Sequence, residues 1–93
     1  MKAKIILFSE NSNEINNFLN KFYSTKSDHG ISNSWQKEFP NPVEITEFIA
    51  AFADNKHRFN LNMWVSLDEN VYIRISPSNS NSIIKYLFER YPY

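Results

Sequence analysis

Between residues 62 and 76 the chain reads NMWVSLDENVYIRIS, and few arrangements accommodate that order. Met63, Val65 and Leu67 alternate with other residue types, and after a polar interruption so do Val71, Ile73 and Ile75. Alternation of period two marks a strand with one buried face. In an antiparallel pair, opposed residues share a face. Setting Leu67 against Val71, Val65 against Ile73 and Met63 against Ile75 gathers every aliphatic on one side. Asp68-Glu69-Asn70 is then a three-residue turn, with Asn tolerating its left-handed position. A two-residue turn slips the register by one and sets Val65 against Arg74, and such a slip inverts a whole face. The three-residue turn is therefore predicted. It sets Trp64 opposite Arg74 and Ser66 opposite Tyr72 on the face away from the aliphatics. There the guanidinium is expected to lie on the indole, a contact worth about 0.5–1 kcal/mol when exposed.

The remaining elements follow from spacing. Lys4 to Phe8 is a short apolar run, predicted to be a central strand buried on both faces. Ile15, Phe18, Leu19 and Phe22 make one helical stripe, capped by Asn11 or Ser12 and ending near Tyr23 or Ser24, with Glu14 close to a capping-box spacing. The polar stretch 25–34, TKSDHGISNS, holds the only glycine and reads as a loop. Residues 35–39 alternate weakly and suit a short edge strand or an extended segment. Asn41-Pro42-Val43-Glu44 is a helix start: cap, first-turn proline, and Glu at the third helical position to close the box. The helix it opens buries Ile45, Phe48, Ile49 and Phe52, and Asn55 takes the position after its end. A last helix begins after Pro77, capped by Ser78, Asn79 or Ser80. It presents Ile83, Ile84, Leu87, Phe88 and Tyr91 to the core and stops at Pro92.

This gives an α/β or α+β fold: one small compact domain over residues 1–93, with a three- to four-stranded mixed sheet and three helices. The element order is β-α-(β)-α-β-β-α, closing with a C-terminal β-hairpin and helix. With residues 35–39 as a strand, this order resembles that of thioredoxin-like proteins. The resemblance lies in element order alone, because the cysteine pair is absent and no proline precedes the third strand. Nothing functional carries over from it.

Composition removes several functions. Ten basic and ten acidic residues cancel, so the chain lacks the cationic excess a general polyanion binder needs. With no cysteine, disulfides, thiolate metal sites and cysteine nucleophiles are excluded. The apolar run near the start is too short for a secretory signal or a membrane span, so a cytoplasmic protein with no anchor is expected. His29 and His57 are isolated and lack metal-ligand spacing. LFSENSNEI links a strand to a helix start, where free N–H groups could hold an anion, but it lacks the glycine that a nucleotide loop needs. The acidic pairs Glu10/Glu14, Glu44/Glu47 and Asp68/Glu69 suit helix starts and a turn, and no nucleophile elbow is present. No enzyme, no cofactor and no metal are expected.

The functional lead is the face bearing Trp64, Tyr72 and Arg74, with Ser66 beside them. Helices on both sides of the sheet would make these residues ordinary core. Left open, the face has the residue types enriched in protein interfaces. The leading expectation is thus a non-catalytic interaction module binding a protein partner through the hairpin face, a second copy of the chain among the candidates. The alternative is a small ligand or single-stranded nucleic acid held by the aromatic and basic residues, including Lys56-His57-Arg58.

Overall fold

The computed structural model describes residues 3–23, 33–55, 59–68 and 71–90. Seven elements run in the order β1 (Ala3–Phe8), α1 (Ser12–Tyr23), β2 (Ser34–Phe39), α2 (Pro42–Asn55), β3 (Asn62–Asp68), β4 (Val71–Arg74) and α3 (Ser80–Arg90). The strands form one sheet in the order β2-β1-β3-β4, with every neighbouring pair antiparallel. The fold is α+β, and the expected mixed sheet is corrected to a wholly antiparallel one. The return is marked at the end of β1, where the Ser9 N–H donates to the Asn33 carbonyl at 3.0 Å. The chain re-enters the sheet beside the point where β1 left it, so β2 runs back along β1. The first β-α-β segment is not a parallel crossover unit, and the resemblance to thioredoxin-like proteins stops at element order. The segment 35–39, left open between strand and extended chain, is the edge strand β2.

All the buried apolar sheet residues lie on one side. Ala3, Ile5 and Leu7 of β1, Phe39 of β2, and Met63 and Val65 of β3 pack with Ile75 under the apolar stripes of the helices. Burial along β1 alternates strictly, and Phe8 is 45% exposed. The expectation that β1 is covered on both faces is therefore wrong: Ile6 belongs to the other side and is only half-buried. A run of consecutive aliphatics does not itself say whether a second layer lies over the strand. Rings join the helices to the sheet. The Trp35 indole stacks on Phe48 at 5.6 Å, with planes 2° apart, and Phe18, Phe22 and Phe39 also meet Phe48.

Asparagines open the helices. The Asn11 side chain accepts from the Asn13 N–H, and that of Asn41 accepts from the Val43 N–H, so Asn11 and not Ser12 caps α1. The Glu44 carboxylate is drawn away from the expected capping box toward Tyr23, whose hydroxyl donates to it at 3.0 Å. At α3, the Asn79 side chain turns back instead of capping. Its Oδ1 accepts from the Ser76 N–H and its Nδ2 donates to the Arg74 carbonyl, both at 2.8 Å. Of the predicted α3 stripe, Ile83 and Leu87 are buried and Ile84 partly so, while Phe88 is 43% exposed. The helix is covered by α2 along one narrow seam, and Phe88 lies beyond it. Tyr91 and Pro92, the 25–32 part of the expected loop, and both histidines lie outside the described residues.

The hairpin register matches at three positions: Trp64 opposite Arg74, Val65 opposite Ile73, and Ser66 opposite Tyr72. The Ile75 N–H donates to the Met63 carbonyl at 2.9 Å, continuing the ladder past β4. Near the turn it departs, because Asp68 pairs with Val71 and the register shifts between Ser66 and Asp68. Leu67 is the extra residue of a bulge, so Asp68 belongs to the strand and the three-residue turn is corrected. A bulge absorbs one residue without inverting the rest of the strand, an outcome the choice between two- and three-residue turns omits.

Candidate functional site

All three helices pack on the side of the sheet that bears Ile5, Val65 and Phe39, so among the described residues no helix covers the opposite side. Strand register sets out its residues in rows. Glu38, Lys4, Ser66 and Tyr72 form one row; Gln36, Ile6, Trp64 and Arg74 the next; Ser34, Phe8 and Asn62 the third. Trp64 and Ile6 are neighbours at the centre and half-buried. Phe8 and Tyr72 flank them at 45% and 46% exposure. The structure thus brings Trp64, Tyr72 and Arg74 onto one uncovered face. Ser66 shares it but is 3% exposed, so it lies beneath its neighbours and offers little surface of its own.

The expected contact between Arg74 and Trp64 is not made. The Arg74 guanidinium donates through Nη2 to Asn62 Oδ1 at 2.6 Å. Asn62 is the diagonal neighbour on the same face, within reach of a long side chain. The charge-assisted bond to the Asn62 amide is directional and short, and it takes the guanidinium away from the indole. Trp35 and Phe39 do not join Trp64; both lie on the helix-covered side against Phe48. Sequence reasoning missed Lys4, Ile6, Phe8, Gln36 and Glu38 as members of the face. Their shared signal was the alternation of β1 and β2 once a single covering layer is assumed.

A second cluster lies on the covered side, where the end of α1 and the start of α2 meet β2. Lys37 projects there, opposite Ile5. Its Nζ lies 3.4 Å from the Tyr23 hydroxyl and 3.5 Å from Glu44 Oε1, and over the Tyr23 and Phe39 rings. Burial raises the pKa of Tyr23, and its hydrogen bond to Glu44 raises it further. Burial lowers that of Lys37, but the Tyr23 hydroxyl and the Glu44 carboxylate outweigh it, and the net shift is upward. A phenol that holds its proton and donates it to a carboxylate is no general base. The cluster ties three elements together.

Both groups bind protons more tightly when folded, so their contribution to stability is complete below about pH 10 and is lost as pH rises through their folded values. The melting temperature should fall as pH rises above about 10, and Tyr23→Phe should flatten part of that fall. Equal slopes for the two proteins would remove this cluster as the cause.

Other candidates are occupied or bare. At the start of α1, the Asn11 N–H goes to Ser9 Oγ, that of Asn13 to Asn11 Oδ1, and that of Glu14 to the Asn11 carbonyl. The chain thus fills its own anion site. A depression of about 200 Å³ lined by Phe18, Lys21, Phe22 and Ala51 holds no acid–base pair. Among the described residues no group of three or more metal-ligating side chains comes together, and no helix is long and apolar enough to cross a membrane. No protein-family model, curated protein or solved structure matches the chain.

Proposed function

We propose that this chain is a non-catalytic interaction module that docks a protein partner on the open face of its sheet. One observation carries the reading: Ile6, Phe8, Trp64 and Tyr72 stand in adjacent positions on a face that no described helix covers. Trp, Tyr and Arg are the residue types that dominate interface energetics, because rigid rings gain contact area at small entropic cost. Gln36, Asn62 and Ser34 supply the polar surround such a patch requires. A partner covering Trp64 removes its remaining surface from water, at roughly 25 cal/mol per Å² of apolar area.

Trp64→Ala tests the reading. No described helix lies above the side chain, so the variant should fold, with a melting temperature within roughly 10 °C of wild type, the equivalent of about 1–2 kcal/mol. Association, followed by light scattering or by capture of a partner, should be lost. Collapse of the fold on this substitution would make Trp64 a structural residue and end the proposal.

Phe8, Trp64 and Tyr72 with Lys4 and Arg74 also suit stacking of single-stranded nucleic acid. Zero net charge weighs against it. Salt-sensitive binding of a single-stranded oligonucleotide, lost in Trp64→Ala, would put that reading first.

A further inference from the structure

Of the three charges that the described residues place on the open face, two lie on its edges and Lys4 lies between them on β1. Glu38 lies on β2 at one side of the sheet and Arg74 on β4 at the other. Glu38 stands opposite Lys4 in register, yet the ion pairs among the described residues are Lys37 with Glu44 and Lys85 with Glu89. Arg74 is held by the neutral amide of Asn62. The face therefore presents an acidic edge and a basic edge, each without a counter-ion among the described residues, on either side of Ile6 and Trp64.

We infer that the partner of this face is the same face of a second copy, related by a twofold axis that lies between the sheets and runs along the strands. The inference rests on the interaction reading above and gives it an occupant. Such an axis exchanges the edges: β2 of one copy lies over β4 of the other, and β1 over β3. Glu38 of each copy then meets the Tyr72–Arg74 edge of the other, and Ile6 of each lies over Trp64 of the other. A twofold contact repeats every interaction, so two charge pairs and two apolar pairs form together. Sheets stacked face to face lie about 10 Å apart, a gap that Glu and Arg side chains bridge. A twofold axis across the strands would instead set β4 on β4 and Arg74 against Arg74. Like charges juxtaposed in this way disfavour that packing.

The experiment is sedimentation of the wild type, Trp64→Ala, Glu38→Arg, Arg74→Glu, and an equimolar mixture of the last two. Both charge positions are exposed on edge strands, and circular dichroism checks that each variant folds. The wild type should be a dimer and Trp64→Ala a monomer. Each charge variant alone should dimerise at least about tenfold more weakly, because both of its edges then carry the same sign. The mixture should regain the wild-type affinity to within about threefold, since acidic edges of one variant meet basic edges of the other. Wild-type dimerisation of both charge variants, with Trp64→Ala monomeric, would overturn the edge-exchanging axis and leave the face reading intact. A wild type that stays monomeric at millimolar concentration would overturn self-pairing and leave the face to a different protein. A Trp64→Ala dimer as tight as wild type would overturn both.

Discussion

Replacing Phe48 by alanine should lower the melting temperature by roughly 15–30 °C, the equivalent of 3–5 kcal/mol in a domain of this length. Phe48 is fully buried and is the ring on which three elements converge. Phe18 and Phe22 of α1 approach it edge-on at 5.2 and 4.5 Å, and Trp35 and Phe39 of β2 lie at 5.6 and 5.7 Å. Truncation opens a cavity that α1, α2 and β2 must all shift to fill, and rings cannot collapse into it without leaving their rotamers. A domain of this size has about 5–14 kcal/mol of stability in total, so the loss is a large fraction of it. Thermal unfolding followed by circular dichroism measures the effect, and Phe48→Leu, which keeps most of the volume, should lose less than half as much. A fall under 5 °C for Phe48→Ala would show that the ring cluster does not hold the helices to the sheet.

Ser9→Ala should cost about 1–3 kcal/mol, a large effect for the removal of one oxygen. Ser9 is 1% exposed. Its hydroxyl donates to the Asn60 carbonyl at 2.7 Å and accepts the Asn11 N–H at 3.1 Å. One side chain thus joins the end of β1, the start of α1 and the approach to β3, across 51 residues of chain. Alanine fills nearly the same space but leaves a carbonyl and an N–H short of a partner. The urea midpoint should fall with an unchanged slope. An unchanged midpoint would mean that other groups satisfy both.

The sequence and the structure agree most closely where a local cause decides the outcome. Asn41-Pro42 starts α2 because a side-chain cap and a fixed φ need only neighbouring residues, and the hairpin pairs Val65 with Ile73 because a slip of one residue would bury a charge. Direction and coverage are different in kind. Nothing between Tyr23 and Ser34 dictates that β2 returns beside β1; that depends on where the chain re-enters, as the bond from Ser9 to Asn33 records. Periodicity places Ile6 and Phe88 in the core because it identifies a stripe but not how far its covering layer extends. The same limit hid half of the candidate site. Trp64, Tyr72 and Arg74 were legible from alternation within one hairpin. Ile6, Phe8 and Glu38 required knowing which strands lie alongside it and that the helices all take one side.

Lys37 has a consequence for the edges of this sheet. It is a cation on an outermost strand, directed toward the helix-covered side and anchored there by Tyr23 and Glu44. A strand adding to β2 would have to lie next to that ammonium, and inward-pointing charge is one of the ways natural sheets resist such growth. At the opposite margin β4 has four residues and follows a bulge, a short and twisted template for any newcomer. Neither margin invites chain after chain to extend the ladder. If the open face pairs with a second copy as proposed, that contact closes on itself and neither margin continues it, which favours a closed pair over a growing fibre.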